Sequence, residues 1–331
     1  MKRLFAAALA AVSVVGLAGC APSDSDGDFV VYVGRSETLV QPLIDQYVAE
    51  SGIEVQVRYA GSAELAAQIL EEGNNSPADV FFAQDAGALG AVSKAGFLRE
   101  LDADLLDLIA PEYRAADGTW IGASGRVRVF NYNTDQVSKA ELPSSVLDLA
   151  GPEWRGRVGI APTNSSFQAF VTALAKVEGE DVASQWLAAM KENGVIYEKN
   201  SAILEAVESG QVDAGLINHY YWYARGNEVG FENLNSEIAA FESQDVGNLR
   251  NVAGVGILSE DPRAKDFVEF LLSETAQQYF VSETSEYPLI NGVELPAGVT
   301  PLAEIPAPEF DLNDLEALEE TLQLIRAAGL I

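Results

Sequence analysis

From residue 29 onward, apolar runs of strand length alternate with amphipathic stretches of helix length. That order is what a parallel sheet demands, because successive parallel strands must be joined by a crossover, usually a helix. Residues 29–33 read as a strand. Residues 37–50 read as a helix, with Pro42 tolerable only in its first turn. In 54–59 the alternation of Val55, Val57 and Tyr59 predicts a strand. Residues 62–72 predict a helix capped by Ser62 and ended by Gly73, with Leu65 and Ile69 on one face. Residues 79–83 are continuously apolar, as in strands buried on both faces. The order is βαβαβ, and the fold class is α/β.

The second half repeats the style. Residues 157–161 and 212–217 read as strands, and 165–177, 182–191 and 201–209 as helices. Two more helices fit 264–282, and a last one fits 312–328, where Leu315, Leu318, Leu322 and Ile325 share a face. The stretches 120–132 and 251–258 are long and apolar, with no Pro/Gly/Ser linker. They predict strands that pass between two lobes and serve as the hinge. The expected division is 29–127 with 253–300 as the first lobe, and 128–252 with 301–331 as the second.

Composition removes several classes of function. Twenty basic residues face 50 acidic ones, for a net charge of −30. Nucleic-acid binding rests on Lys and Arg meeting phosphates, so that class is excluded, as is broad adhesion to an anionic membrane. The chain has one cysteine and one histidine, His219. An internal disulfide is therefore excluded, and a structural zinc site, which takes about four Cys or His ligands, has no residues to build it. A hydrolytic triad would have to run through His219 alone. No nucleophile elbow, HExxH or phosphate-loop motif occurs, and the chain reads as a non-enzyme.

The single cysteine carries the address. Lys2 and Arg3 precede an apolar run over 4–16, and then comes Leu17-Ala18-Gly19-Cys20. The run is shorter than the ~20 residues that span a bilayer. The stretch resembles a bacterial lipoprotein signal, with Leu-Ala-Gly-Cys as its lipobox. The resemblance implies that 1–19 is a signal peptide removed before Cys20, and that Cys20 carries the lipid. Residues 20–28, rich in Ser, Asp and Gly, then form a flexible tether. The expected location is extracytoplasmic, in the periplasm or on the outer face of the cell membrane, with membrane contact only through the lipid.

In open α/β sheets, ligands bind beyond the carboxyl ends of the strands. Those ends carry Gly34-Arg35-Ser36-Glu37, Gln84-Asp85, Thr163-Asn164-Ser165-Ser166 and Asn218-His219-Tyr220-Tyr221-Trp222-Tyr223. The crossover carries Ser124-Gly125-Arg126-Val127-Arg128. Most aromatic runs are core. Adjacent side chains, however, converge only at a strand-to-helix turn, which is where this tyrosine pair falls. Phenolate is a hard oxygen ligand. A free tyrosine titrates near ~10, so a strong Lewis acid such as Fe³⁺ must displace the proton.

At this point the chain resembles the periplasmic ferric-ion-binding proteins, the capture components of ABC iron importers. The resemblance runs from residue 29 almost to the end. It is carried by Val31-Tyr32-Val33-Gly34-Arg35-Ser36, Pro77-Ala78-Asp79-Val80-Phe81-Phe82 and Ser124-Gly125-Arg126-Val127-Arg128-Val129. Pro162-Thr163-Asn164-Ser165-Ser166-Phe167-Gln168, Asn200-Ser201, Asn218-His219-Tyr220-Tyr221 and Glu286-Tyr287-Pro288-Leu289 complete it. It implies a two-lobed type II periplasmic-binding-protein fold, with parallel-dominated sheets, flanking helices and two hinge crossovers. It also implies Fe³⁺ on Tyr220 and Tyr221. A synergistic anion, carbonate or phosphate, would be held by Arg35 and Arg126 with Asn164, Ser165, Asn200 and Asn218 as helpers. Two phenolates and a carbonate exceed a ferric ion by one negative charge, which the arginines offset.

Family members place a histidine where Ser36 stands, a glutamate where Gln84 stands, or a third tyrosine where Asn164 stands. The sequence has none of the three. Ser36, Glu37 and Gln84 are the candidate contacts from the first lobe, and His219 reads as structural. The implied partners are an ABC permease and its ATPase subunits, with the chain itself a monomer. The alternative is the same fold serving a phosphonate, a polyamine or chelated iron, which Asn164 in place of a tyrosine favours.

Overall fold

The computed structural model describes residues 27–296 and 299–331. Cys20, the leader and most of the expected tether lie outside the described residues. The strands are β1 (Phe29–Val33), β2 (Val55–Tyr59), β3 (Val80–Ala83), β4 (Trp120–Asn133), β5 (Val158–Ile160), β6 (Gly194–Ile196), β7 (Ala214–Asn218), β8 (Ser236–Ala239) and β9 (Arg250–Ile257). The helices are α1 (Glu37–Ser51), α2 (Ser62–Glu72), α3 (Ala86–Lys94), α4 (Ala103–Leu106), α5 (Ser165–Val177) and α6 (Glu180–Asn193). They continue with α7 (Asn200–Glu208), α8 (His219–Val229), α9 (Pro262–Leu271), α10 (Glu274–Ser282) and α11 (Leu318–Ala327).

The strands run in the order β2-β1-β3-β9-β4-β7-β5-β6, with β8 also paired to β4. The sheet is curled, mixed and flanked by helices. Its outer ladders are parallel: β1 pairs with β2 and β3 at one end, and β5 with β6 and β7 at the other. The inner ladders are antiparallel because the two crossover strands make them. β4 pairs with β9 over Trp120–Val127, then with β7 over Arg128–Tyr132 and β8 over Phe130–Asn133. One fourteen-residue strand, buried along its whole length, thus belongs to both halves. This explains why the stretch runs on from one half to the other without a loop.

Three local expectations need correction. Ser62 does not cap α2; it is the helix's first residue and Gly61 is the N-cap. The Ser62 hydroxyl donates to the Gly34 carbonyl (3.0 Å) and accepts the Gln84 N–H (2.8 Å). It thereby ties the β1–α1 turn to the β3–α3 turn. A side chain at Gly34 would put its Cβ 2.1 Å from that hydroxyl, so the close approach requires glycine. Pro42 lies inside α1 in its second turn, where it removes one helical hydrogen bond that the buried face of Val40, Leu43, Ile44 and Tyr47 offsets. Finally, the predicted last helix is two pieces, a 3-10 turn over Leu312–Glu316 and then α11, broken at Ala317 (φ −76°, ψ 42°).

Those two pieces have different main seats, the turn on α3 and α11 on α5 and α6. Leu315 is fully buried on the glycine face of α3, where a Cβ at Gly87 would lie 2.9 Å from the Leu315 carbonyl oxygen. Lys94 pairs with Glu316 at 3.1 Å, and Asn313 Oδ1 accepts the Ala116 N–H at 3.0 Å. Beyond the break, α11 packs on α5 and α6, with Thr321 and Thr172 hydroxyls 2.6 Å apart and Ile325 buried.

Candidate functional site

Five helices start where strands end: α1 after β1, α3 after β3, α5 after β5, α7 after β6 and α8 after β7. Their N-termini, and the positive ends of their dipoles, gather at one edge of the curled sheet. Two of these starts are capped by their own side chains. Asp85 Oδ1 accepts the Ala88 N–H at the head of α3, and Asn164 Oδ1 accepts the Ser166 N–H at the head of α5, both at 3.0 Å. At α1, α7 and α8 no side chain caps the helix. Asn218 stands at the capping position of α8 but spends its amide elsewhere. Its Nδ2 donates to the Ser166 hydroxyl at 3.0 Å and approaches the Tyr220 hydroxyl at 3.5 Å.

Tyr220 and Tyr221 open α8, with ring centroids 4.4 Å apart and planes tilted by 31°. Tyr220 is buried and Tyr221 half-buried. Burial pushes the Tyr221 phenol well above its usual range, and neighbouring Tyr220 adds to the effect, while Arg35 and Arg126 pull it back. With nothing bound, Tyr221 therefore keeps its proton at neutral pH. Only a cation able to expel that proton converts it to a ligand.

The two arginines differ. Arg35 Nη2 donates to Glu286 Oε2 at 2.7 Å, and its Nη1 reaches the Ser124 hydroxyl at 3.5 Å. Burial works against the Arg35 charge, but Glu286 and then the two tyrosines outweigh it and hold its pKa above the usual arginine value. Arg126 is 1% exposed, and neither of its terminal nitrogens has a partner. Burial pushes it below the usual arginine value, with partial relief from Tyr220 and Asp85. Arg128, the next inward residue on β4, is pushed by burial down to about 9. It lies over the rings of Phe167 and Phe170 and donates to the Leu216 carbonyl at 3.1 Å.

Buried polar atoms in a folded chain are almost always paired. Here eight of the twelve unpaired ones among the described residues belong to residues at or next to this edge: Arg126 Nη1 and Nη2, Arg128 Nη1, Asn200 Oδ1 and Nδ2, Asn218 Oδ1, Asp85 Oδ2 and Glu286 Oε1. Both donors and acceptors are represented. The arrangement has the chemistry of a pocket for a charged, oxygen-rich guest. Among the described residues, no group of three His, Cys, Asp or Glu is placed to hold a metal, so a metal here would depend on the phenols.

Of the residues expected at the site, Arg35, Arg126, Asn200, Asn218, Tyr220 and Tyr221 are buried or half-buried here. Asn164 is half-buried and its Oδ1 is used as a cap, while Ser165, the first residue of α5, is half-buried. Gln84 donates from Nε2 to the Ser166 hydroxyl at 2.7 Å, joining the β3–α3 turn to the head of α5. Ser36 and Glu37 are exposed, and Ser36 bonds Thr38 across 3.0 Å. His219 is structural: its Nδ1 accepts the Val127 N–H at 3.3 Å, and its ring stacks on Tyr287 at 4.6 Å. Sequence reasoning assigned no role to Glu286, Ser166 or Asp85. All three stood in stretches already noted, but only their buried contacts mark them out.

Over residues 75–311 the chain matches the family described as bacterial extracellular solute-binding protein. The chain belongs to that family. Among curated relatives of this solute-binding protein is the Fe(3+)-binding periplasmic protein of Serratia marcescens. It is 35% identical over 328 residues, which cover 98% of this chain and 97% of the relative. Among solved structures, iron-bound HitA from Pseudomonas aeruginosa superposes with a TM-score of 0.87 at 38% identity, covering 91% of this chain and 99% of that one. Trichodesmium IdiA (FutA), in complex with iron and citrate, gives a TM-score of 0.75 at 27% identity and covers 92% and 99%. The solute-binding protein therefore has the two-lobed fold of these neighbours. Among the described residues, no helix is long and apolar enough to cross a membrane.

Proposed function

We propose that this protein is the extracytoplasmic capture component of an ABC importer. It takes ferric iron and a small oxyanion between two lobes and passes the iron to a membrane permease and its ATPase. The observation that carries the reading is the pair of phenols at the head of α8 beside Arg126, whose buried donors are unpaired. Tyr220 and Tyr221 would be the iron ligands, each releasing its phenol proton to solvent as its oxygen binds the metal. Arg126 binds the anion, carbonate or phosphate, with Asn200 and Asn218. Arg35 supplies a fixed positive charge. The function is transport without covalent catalysis.

The lobes are taken as 29–127 with 253–300, and 128–252 with 301–331. Closure is favoured by contacts made only when both meet the solute. Gln84, Ser166 and Asn218 already link the first lobe to the tyrosine pair and would add to the closed state. The lipid on Cys20 keeps the protein near its permease, and the protein acts as a monomer.

Adding Fe³⁺ and bicarbonate to the purified protein is expected to produce a visible tyrosinate-to-iron charge-transfer band, which Tyr221→Phe abolishes. A protein that stays colourless and takes up no iron sinks the reading. The exposed positions of Ser36 and Glu37 favour one variant of it, in which the iron arrives chelated and the chelator fills the remaining coordination positions. Equilibrium dialysis with ferric citrate separates the two, because the chelate variant retains one citrate per iron.

A further inference from the structure

Glu286 is a buried carboxylate with an uneven set of contacts. Its Oε2 accepts from Arg35 Nη2 (2.7 Å), the Ser124 hydroxyl (3.1 Å) and the Thr284 hydroxyl (3.0 Å). Its Oε1 is equally buried and has no partner. The side chains of Arg35 and Glu286 are 1% and 0% exposed. The carboxylate is held in place by its backbone. Tyr287 exchanges both main-chain hydrogen bonds with Gly125 of β4, at 2.7 and 2.9 Å. Gln277 fastens the same segment, accepting the Leu289 N–H at 2.8 Å and donating to the Ala123 carbonyl at 2.6 Å.

A buried ion pair far from any site would be a matter of packing alone. This pair is not remote. Tyr287, the residue after Glu286, pairs by backbone with Gly125 beside Arg126, and its ring stacks at 4.6 Å on His219, which precedes Tyr220 at the head of α8. The charges of Arg35 and Glu286 both bear on Arg126. Glu286 therefore acts on the same small region as Arg35 and Arg126, in a setting where charges are weakly screened.

We propose that Glu286 is a specificity residue of the solute site: its carboxylate cancels one guanidinium charge and so limits how much negative charge the bound anion carries. The anion class selected is a compact dianion such as carbonate or hydrogen phosphate, against a trianion such as citrate. The proposal rests on the anion-binding half of the reading above and not on iron. Removing one negative charge from the site raises its attraction for every anion, and the gain grows with the anion's charge. In a Coulomb field the gain in binding free energy for a dianion is twice that for a monoanion of the same shape, so the fold-change is squared.

Sulfate and perchlorate provide that comparison, being tetrahedral oxyanions of charge two and one. The test is calorimetric titration of the metal-free protein and of Glu286→Gln with each. Glutamine keeps the shape and can still accept from Arg35. The expected gain is about tenfold for perchlorate and about a hundredfold for sulfate. Glu286→Ala serves where the glutamine variant folds poorly, with the same expected ratio. Equal gains for the two anions, or none, overturn the proposal, because a merely structural role gives no dependence on anion charge. If the wild type forms no coloured iron complex but the squared relation holds, the iron reading fails and the role of Glu286 stands. If the wild type colours with iron and the relation fails, the reverse is true. A protein that binds neither anion in either form overturns the role of Glu286, and the iron complex decides the iron reading by itself.

Discussion

Arg35 and Arg126 are both buried, both near the tyrosine pair and both drawn from the first half of the chain. Their surroundings are opposite. Arg35 is neutralised by Glu286 and braced by Ser124, and its charge is stabilised. Arg126 has no partner for either terminal nitrogen, and burial opposes its charge. One arginine is part of the built frame. The other is held in an unfavourable state that, on the proposed reading, a bound anion would relieve. The comparison teaches that burial alone does not mark a binding residue. What marks it is a buried donor whose partner is not another part of the chain.

The largest effect is expected where the guest meets the chain directly. Replacing both Tyr220 and Tyr221 by Phe should weaken ferric binding by about a thousandfold or more and leave no charge-transfer band, while the metal-free fold persists. An iron complex that keeps its colour would move the metal away from the phenols altogether.

The next prediction puts the two arginines against each other. Arg35→Met leaves Glu286 buried without its counter-charge and should destabilise the metal-free protein by about 3–5 kcal/mol. Arg126→Met removes an unpaired buried charge and should stabilise it by about 1–2 kcal/mol. Both should impair anion binding. Denaturant titrations giving the same sign for both variants would break the contrast.

His219 offers a smaller effect with a defined sign. Burial pushes its imidazole from an ordinary value of 6.5 down to about 3. The unfolded chain takes up a proton below pH 6.5 that the folded chain refuses until about pH 3. This contribution to stability is therefore complete above pH 6.5 and is lost as pH falls through that window, with a slope of up to about 1.4 kcal/mol per unit. His219→Gln should flatten the slope in the metal-free protein. The smallest change is expected for Ser166→Ala, which removes the hydroxyl between Gln84 and Asn218 and should weaken solute binding by about five- to tenfold through a less favoured closed state. Small-angle scattering of the loaded protein would check it, and an unchanged profile with unchanged affinity would set the contact aside.

The frame of this molecule was legible in its sequence where one period dominated. β1 and α5 fall on the stretches read from apolar patterning, at the same bounds. β4 was visible as a long, largely apolar run, and its sharing between the two halves shows in its pairing with β9 and then with β7 and β8. The tyrosine pair was legible because two adjacent rings at a strand end have few other uses. The rest depended on long-range geometry. Ser62 precedes a helical pattern and looks like a cap; only the fold reveals that Gly34 and Gln84 claim its hydroxyl. Glu286 lies 251 residues from Arg35, and no local pattern announces that pairing. Nor does periodicity reveal the break at Ala317, because its two pieces continue one apolar face onto different neighbours.

That break has a mechanical consequence. The chain crosses between the halves through β4 and β9, and again through the C-terminal segment, whose five-residue turn lies chiefly on α3 and also touches α5, while α11 lies chiefly on α5 and α6. A swing that draws α3 away from α5 must take up slack at Ala317 or peel one piece off its seat. The C-terminal segment then works like a check strap on a door. It leaves the path of the swing to the crossover strands and sets where the swing stops.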